Sequence, residues 1–133
     1  MKFFNSNTSS LWSSKINFVD ENNVLVGYDY ADQCCEDFGW FLSPKIDPSS
    51  FDDHIATDEE LVNTLLEGWV FDTTFFEQKS SGEGSYDEQN LAIFRMTKGD
   101  NVMYLHLYNV HNGYYSHGFT FEKGDTEVHC GWL

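Results

Sequence analysis

The stretch from Leu91 to Tyr108 constrains the fold most. Leu91-Ala92-Ile93-Phe94-Arg95-Met96 and Val102-Met103-Tyr104-Leu105-His106-Leu107-Tyr108 are aromatic and β-branched runs of strand length, and Lys98-Gly99-Asp100-Asn101 between them holds residues that tolerate positive φ. They predict a hairpin. In its second strand Met103, Leu105, Leu107 and Asn109 share one face, while Val102, Tyr104, His106 and Tyr108 share the other. Alternation therefore assigns the first set to the core and leaves His106 among aromatics on the reverse. The same pattern recurs where Lys15–Val19 meets Val24–Tyr30 across Asp20-Glu21-Asn22-Asn23, and where Gly118–Glu122 meets Thr126–Cys130 across Lys123-Gly124-Asp125. Trp69–Phe76 reads as another strand, and Lys79–Tyr86 has loop composition.

One helix is predicted over Asp58–Glu67, with Thr57 as N-cap, Glu60 at the capping-box position, and Gly68 as the stop. Leu61, Leu65 and Leu66, with Val62 beside them, form its apolar stripe. The fold class expected is α+β: mainly antiparallel β-sheet of about six to eight strands with one or two short helices, in a single domain spanning residues 1–133. Gly131-Trp132-Leu133 follows the last strand, and both large side chains are expected to dock on the body.

Aromatic residues make up 17% of the 133 residues, too large an apolar payload for a disordered acidic tail. Lys and Arg number 7 against 22 Asp and Glu, a net charge of −15, which argues against a surface built to neutralise phosphate. No direct nucleic-acid binding is expected. Nothing in the sequence has the continuous apolar length of a signal peptide or membrane span, so no membrane association is expected and the predicted location is cytoplasmic. Two of the three cysteines, Cys34 and Cys35, are adjacent, and a disulfide between them would close a strained ring. Reduced thiols in ordinary burial are the expectation; a pairing of either with Cys130 is the alternative in an oxidising setting.

Two segments stand out. Asp32-Gln33-Cys34-Cys35-Glu36-Asp37 sets vicinal thiols among acids and an amide. Cys34, Cys35, His111 and His117 are candidate metal ligands, yet no CxxC or HxxxH spacing occurs and adjacent extended residues point apart. No cofactor is expected. The second segment, Tyr108-Asn109-Val110-His111-Asn112-Gly113-Tyr114-Tyr115-Ser116-His117-Gly118, packs tyrosine and imidazole groups around a tight turn. Read as a binding edge, with Asn112 at its turn, it takes contact area from Tyr114 and Tyr115 and hydrogen bonds or proton transfer from His111 and His117; read as a plain hairpin, it pairs these groups across strands. With Arg95 as the sole arginine, RNA cleavage by the two histidines is disfavoured, and no nucleophile, base and orienter stand at a telling spacing. An enzyme is not expected.

The Asp32-Gln33-Cys34-Cys35-Glu36 run after a Val-Gly-Tyr-Asp strand, followed late by Asn112-Gly113-Tyr114-Tyr115-Ser116, resembles a small uncharacterised family of bacterial and phage proteins with a QDCCE-like segment early and an NGYYS-like segment late. The resemblance spans roughly residues 23 to 121. It implies that Cys34, Cys35, Glu36, Asn112, Gly113, Tyr114 and Tyr115 belong to one spatial feature.

Asp47, Asp52, Asp53, Asp58, Glu59 and Glu60 cluster without an intervening cation and lead into the predicted helix. Acids favour a first helical turn, and a solvated face is the simplest account. Still, −15 exceeds the magnitude of roughly 2 to 8 that suffices for solubility. The function expected is therefore a non-enzymatic protein-binding antagonist of a basic protein partner, an immunity protein or a phage anti-host factor, that binds through Asp52, Asp53, Asp58, Glu59, Glu60, His111, Asn112, Tyr114 and Tyr115. The alternative is a small-ligand or metal-binding domain using the Cys34/Cys35 and His111/His117 segments.

Overall fold

The alternating segments pair into two antiparallel sheets that face each other across an aromatic core. The computed structural model describes residues 1–7, 14–31, 33–48, 59–81, 88–111 and 115–133. Its strands are β1 (Lys2–Asn7), β2 (Ser14–Val19), β3 (Val24–Asp29), β4 (Asp37–Ser43), β5 (Val70–Ser81), β6 (Glu88–Lys98), β7 (Asn101–His111), β8 (Gly118–Lys123) and β9 (Thr126–Trp132), and helix α1 spans Glu59–Leu65. One sheet has the order β1-β2-β3-β8-β9, the other β4-β7-β6-β5. The chain crosses between them after β3, and again after β7 when the β8–β9 hairpin returns to lie beside β3.

Each of the three expected hairpins forms. Lys98 pairs with Asn101 and Lys123 with Thr126, so Gly99-Asp100 and Gly124-Asp125 are two-residue turns. Each turn glycine has φ 60°, which matches the right-handed twist of the flanking strands and which a side chain would oppose. On β7, Met103, Leu105, Leu107 and Asn109 face the core, and His106 lies on the reverse, stacked on Phe41 at 4.4 Å. From the opposing sheet come Phe18, Val26, Tyr28, Phe119 and Phe121. Phe94 of β6 meets Phe121 edge-on at 5.2 Å and Phe119 at 6.0 Å, the perpendicular contacts that ring quadrupoles favour. Each such fully buried ring stabilises the fold by about 2 kcal/mol relative to exposure.

The structure departs from the expected pattern at several points. The mainly antiparallel sheet with one short helix is as expected, but nine strands among the described residues exceed the six to eight anticipated. The additions are β1, whose polar Asn5, Ser6 and Asn7 disguise an edge strand, and β4, whose run Phe38-Gly39-Trp40-Phe41-Leu42 does not alternate because both its faces are covered. Strand β5 continues through Lys79-Ser80-Ser81, expected as loop, because these residues pair with Leu91, Asn90 and Gln89. In α1 and the turn after it, Val62 and Leu66 are buried while Leu65 is 37% exposed, so the apolar stripe is narrower than predicted. Leu133 docks in the core, whereas Trp132 is 68% exposed and covers its cross-strand partner Gly118: a Cβ there would lie 3.2 Å from the indole ring. No helix among the described residues is long and apolar enough to cross a membrane.

Asp20 links the sheets. Its Oδ1 accepts from the Asn22 and Val24 N–H groups at 2.9 Å, closing the β2–β3 turn, and its Oδ2 accepts from the Phe71 N–H of β5 at 2.8 Å. A buried carboxylate is tolerable here because three backbone donors replace its water. Asp20→Ala would strand those donors, and urea unfolding should show a loss of about 3 kcal/mol or more. A loss below about 1 kcal/mol, the net worth of one ordinary hydrogen bond, would mean the link does not carry the sheet pairing.

Candidate functional site

The two unusual segments meet where the chain crosses between sheets. Asp29 ends β3 and Asp37 opens β4, and the connection bends at Cys34 and Cys35. The bend is closed by the next side chain: Glu36 Oε1 accepts from the Gln33 N–H at 2.8 Å and Oε2 from the Cys34 N–H at 2.9 Å. This turns the carboxylate inward, where its Oε1 meets His117 Nε2 at 3.0 Å with both side chains fully buried. Gln33 Nε2 donates to the Ser116 carbonyl at 2.8 Å, and the Tyr115 phenol stands beside Cys34.

The charge states follow from the partners. Burial opposes ionisation of Glu36, but the backbone N–H groups around it and the His117 ring outweigh that penalty and hold its carboxyl at about 2. The second ring nitrogen of His117 lies 2.8 Å from the Asp29 carbonyl oxygen. Both ring nitrogens thus face oxygen atoms, one of the Asp29 backbone and one of the Glu36 carboxylate. Phe38 stacks on the ring at 4.0 Å, and Tyr28 packs beside it at 5.9 Å. The Tyr28 hydroxyl donates to the Tyr108 carbonyl at 2.8 Å, a second polar tie between the sheets, and burial pushes that phenol up.

This arrangement limits the chemistry. Both ring nitrogens of His117 are engaged, by Asp29 and Glu36, so neither is directed at a thiol or at an open ligand position. His111 is buried against Asn90, whose amide Nδ2 lies 3.1 Å from His111 Nε2 while its Oδ1 accepts from Ser80 Oγ at 2.6 Å. No group of three or more His, Cys, Asp or Glu side chains among the described residues is arranged to hold a metal ion. The cysteines contradict the expected burial: Cys34, Cys35 and Cys130 are all exposed and none is in a disulfide. The reason is the inward turn of Glu36, which places the residues before it on the outside of the bend. For Tyr115, the hydrogen bond to Cys34, reinforced by the neighbouring thiols, raises the phenol.

Of the residues expected to form a binding surface, Tyr115 stands beside Cys34, while His111 belongs to a separate network with Asn90. Asn112, Gly113, Tyr114, Asp52, Asp53 and Asp58 lie outside the described residues. Glu59 and Glu60 open α1, which docks beside β1 through the Phe3 N–H and Asn63 Oδ1 at 2.9 Å. Elsewhere two of the seven cations, Arg95 and Lys79, are paired with carboxylates. Asp72 takes the Arg95 guanidinium through two nitrogens at 2.6 and 2.9 Å beneath the Phe75 ring, and Lys79 bridges Asp47 and Glu77. Lys98 Nζ is held by the Glu67 carbonyl at 2.8 Å.

No protein-family model, curated protein or solved structure matches this chain.

Glu36 supplies a pH test. Its carboxyl lies lower in the folded chain, about 2, than its ordinary 4.5, so its stabilisation is complete above pH 4.5 and is lost as pH falls through about 2. Urea unfolding of wild type and Glu36→Gln should therefore show a wild-type advantage that narrows by on the order of 3 kcal/mol across that window. A gap that stays constant with pH would exclude an ionised Glu36 as the anchor.

Proposed function

We propose that this chain is a non-enzymatic, protein-binding antagonist of a basic protein, acting in the cytoplasm as an immunity protein against a nuclease toxin or as a phage factor against a DNA-binding host protein. Membership of the bacterial and phage family that the two segments resemble is part of the same proposal. One observation supports it above the rest: the charge is −15. Arg95 and Lys79 are already matched by Asp72, Asp47 and Glu77 within the chain, and the net −15 stands with those pairs counted. Such a field attracts a cationic surface from a distance and speeds its docking.

Asp52, Asp53, Asp58, Glu59 and Glu60 are the proposed centre of that field, with His111, Asn112, Tyr114 and Tyr115 as the proposed contact residues. Immobilised protein in lysate at low ionic strength should retain a basic protein and release it as salt rises. Once that partner is purified, a variant carrying Asn at 52, 53 and 58 and Gln at 59 and 60 should associate at least about tenfold more slowly, with a smaller effect on dissociation. Retention of no basic protein at low salt, or an association rate unmoved by the five substitutions, would overturn the reading.

A further inference from the structure

We propose that Cys34 and Cys35 form a redox-reactive dithiol that closes reversibly into a vicinal disulfide on meeting a hydroperoxide. The pair is exposed, although free cysteines rank among the residue types most often buried. It sits in the connection between β3 and β4, outside any strand ladder, so the peptide joining the two residues can twist into the ring without breaking sheet hydrogen bonds. Below it, Glu36 grips the Gln33 and Cys34 N–H groups and is itself gripped by buried His117, which keeps both thiols at the surface. The Tyr115 phenol stands beside Cys34, next to the neighbouring segment.

The surrounding charge selects the oxidant. A net −15 repels anionic disulfides such as oxidised glutathione, whereas a hydroperoxide is small and neutral. One thiol loses its proton and attacks the O–O bond; a sulfur–oxygen bond forms, the O–O bond breaks, and the leaving oxygen departs as alcohol or water with that proton. The second sulfur then attacks the resulting sulfenic acid; the S–S bond forms, the S–O bond breaks, and water leaves with the second thiol's proton. Two thiols and one hydroperoxide give one disulfide, one alcohol (or water) and one water, with sulfur oxidised and peroxide oxygen reduced. The strain that makes such a ring a poor structural staple makes it readily reducible, which suits a reversible site.

The test is mass spectrometry of reduced full-length protein exposed to hydrogen peroxide, alkylated with N-ethylmaleimide and digested. The expected product, from monomeric protein, is a peptide containing residues 34 and 35 that has lost two hydrogens and taken up no alkylating agent. Dithiothreitol should reverse it, Cys130→Ser should leave it intact, and Cys34→Ser or Cys35→Ser should abolish it. Two alkylated cysteines, oxygen adducts left on either sulfur, or a cross-link to Cys130 or to a second chain would each overturn the proposal.

Discussion

Buried carboxylates bonded to backbone N–H groups hold this sandwich together at the points where its sheets must be joined. Asp20 closes the β2–β3 turn and reaches across to Phe71, and Glu36 closes the bend before β4 and reaches across to His117. Opposed sheets with an apolar interior gain little orientation from the hydrophobic effect, which is non-directional. A carboxylate that must satisfy all its lone pairs is directional, and losing its partners costs far more than losing one methyl contact. In a chain so rich in acids, spending two of them inward gives specific joints, and aromatic faces such as Phe38 over His117 fill the space around them.

Much of the sheet was legible because alternation is a local signal. The faces of β7 follow from its own residues, and the three hairpins follow from Gly, Asp and Asn at their turns. Strand β4 was not legible, since alternation vanishes when Trp40 and Leu42 face the core while Phe41 is stacked on His106 outside it. Nor was the site. Glu36 and His117 lie 81 residues apart, and nothing in the composition of either segment says that the carboxylate turns inward. That one rotation also reverses the expectation for Cys34 and Cys35, because a residue type's tendency to be buried yields to the direction in which its neighbour is anchored.

The acidic surplus and the thiol-bearing bend are linked by the same economy. Carboxylates inside the fold are met by backbone N–H groups and the His117 ring, and those on the outer face of the β4-β7-β6-β5 sheet by Arg95 and Lys79. What remains is a net charge of −15, which governs what can approach. Polycations are drawn in, anions are turned away, and uncharged molecules pass without bias.

The bulge at Val128 has its own bearing on how the molecule behaves in a crowd. Phe121 pairs with His129 and Glu122 with Glu127, leaving Val128 unmatched on β9, the outermost strand of its sheet. An open edge is a template on which a second copy can polymerise, and a strand kinked at its middle presents donors and acceptors out of step with any straight newcomer. The irregularity that interrupts one ladder inside the molecule thus discourages fibre growth at its rim.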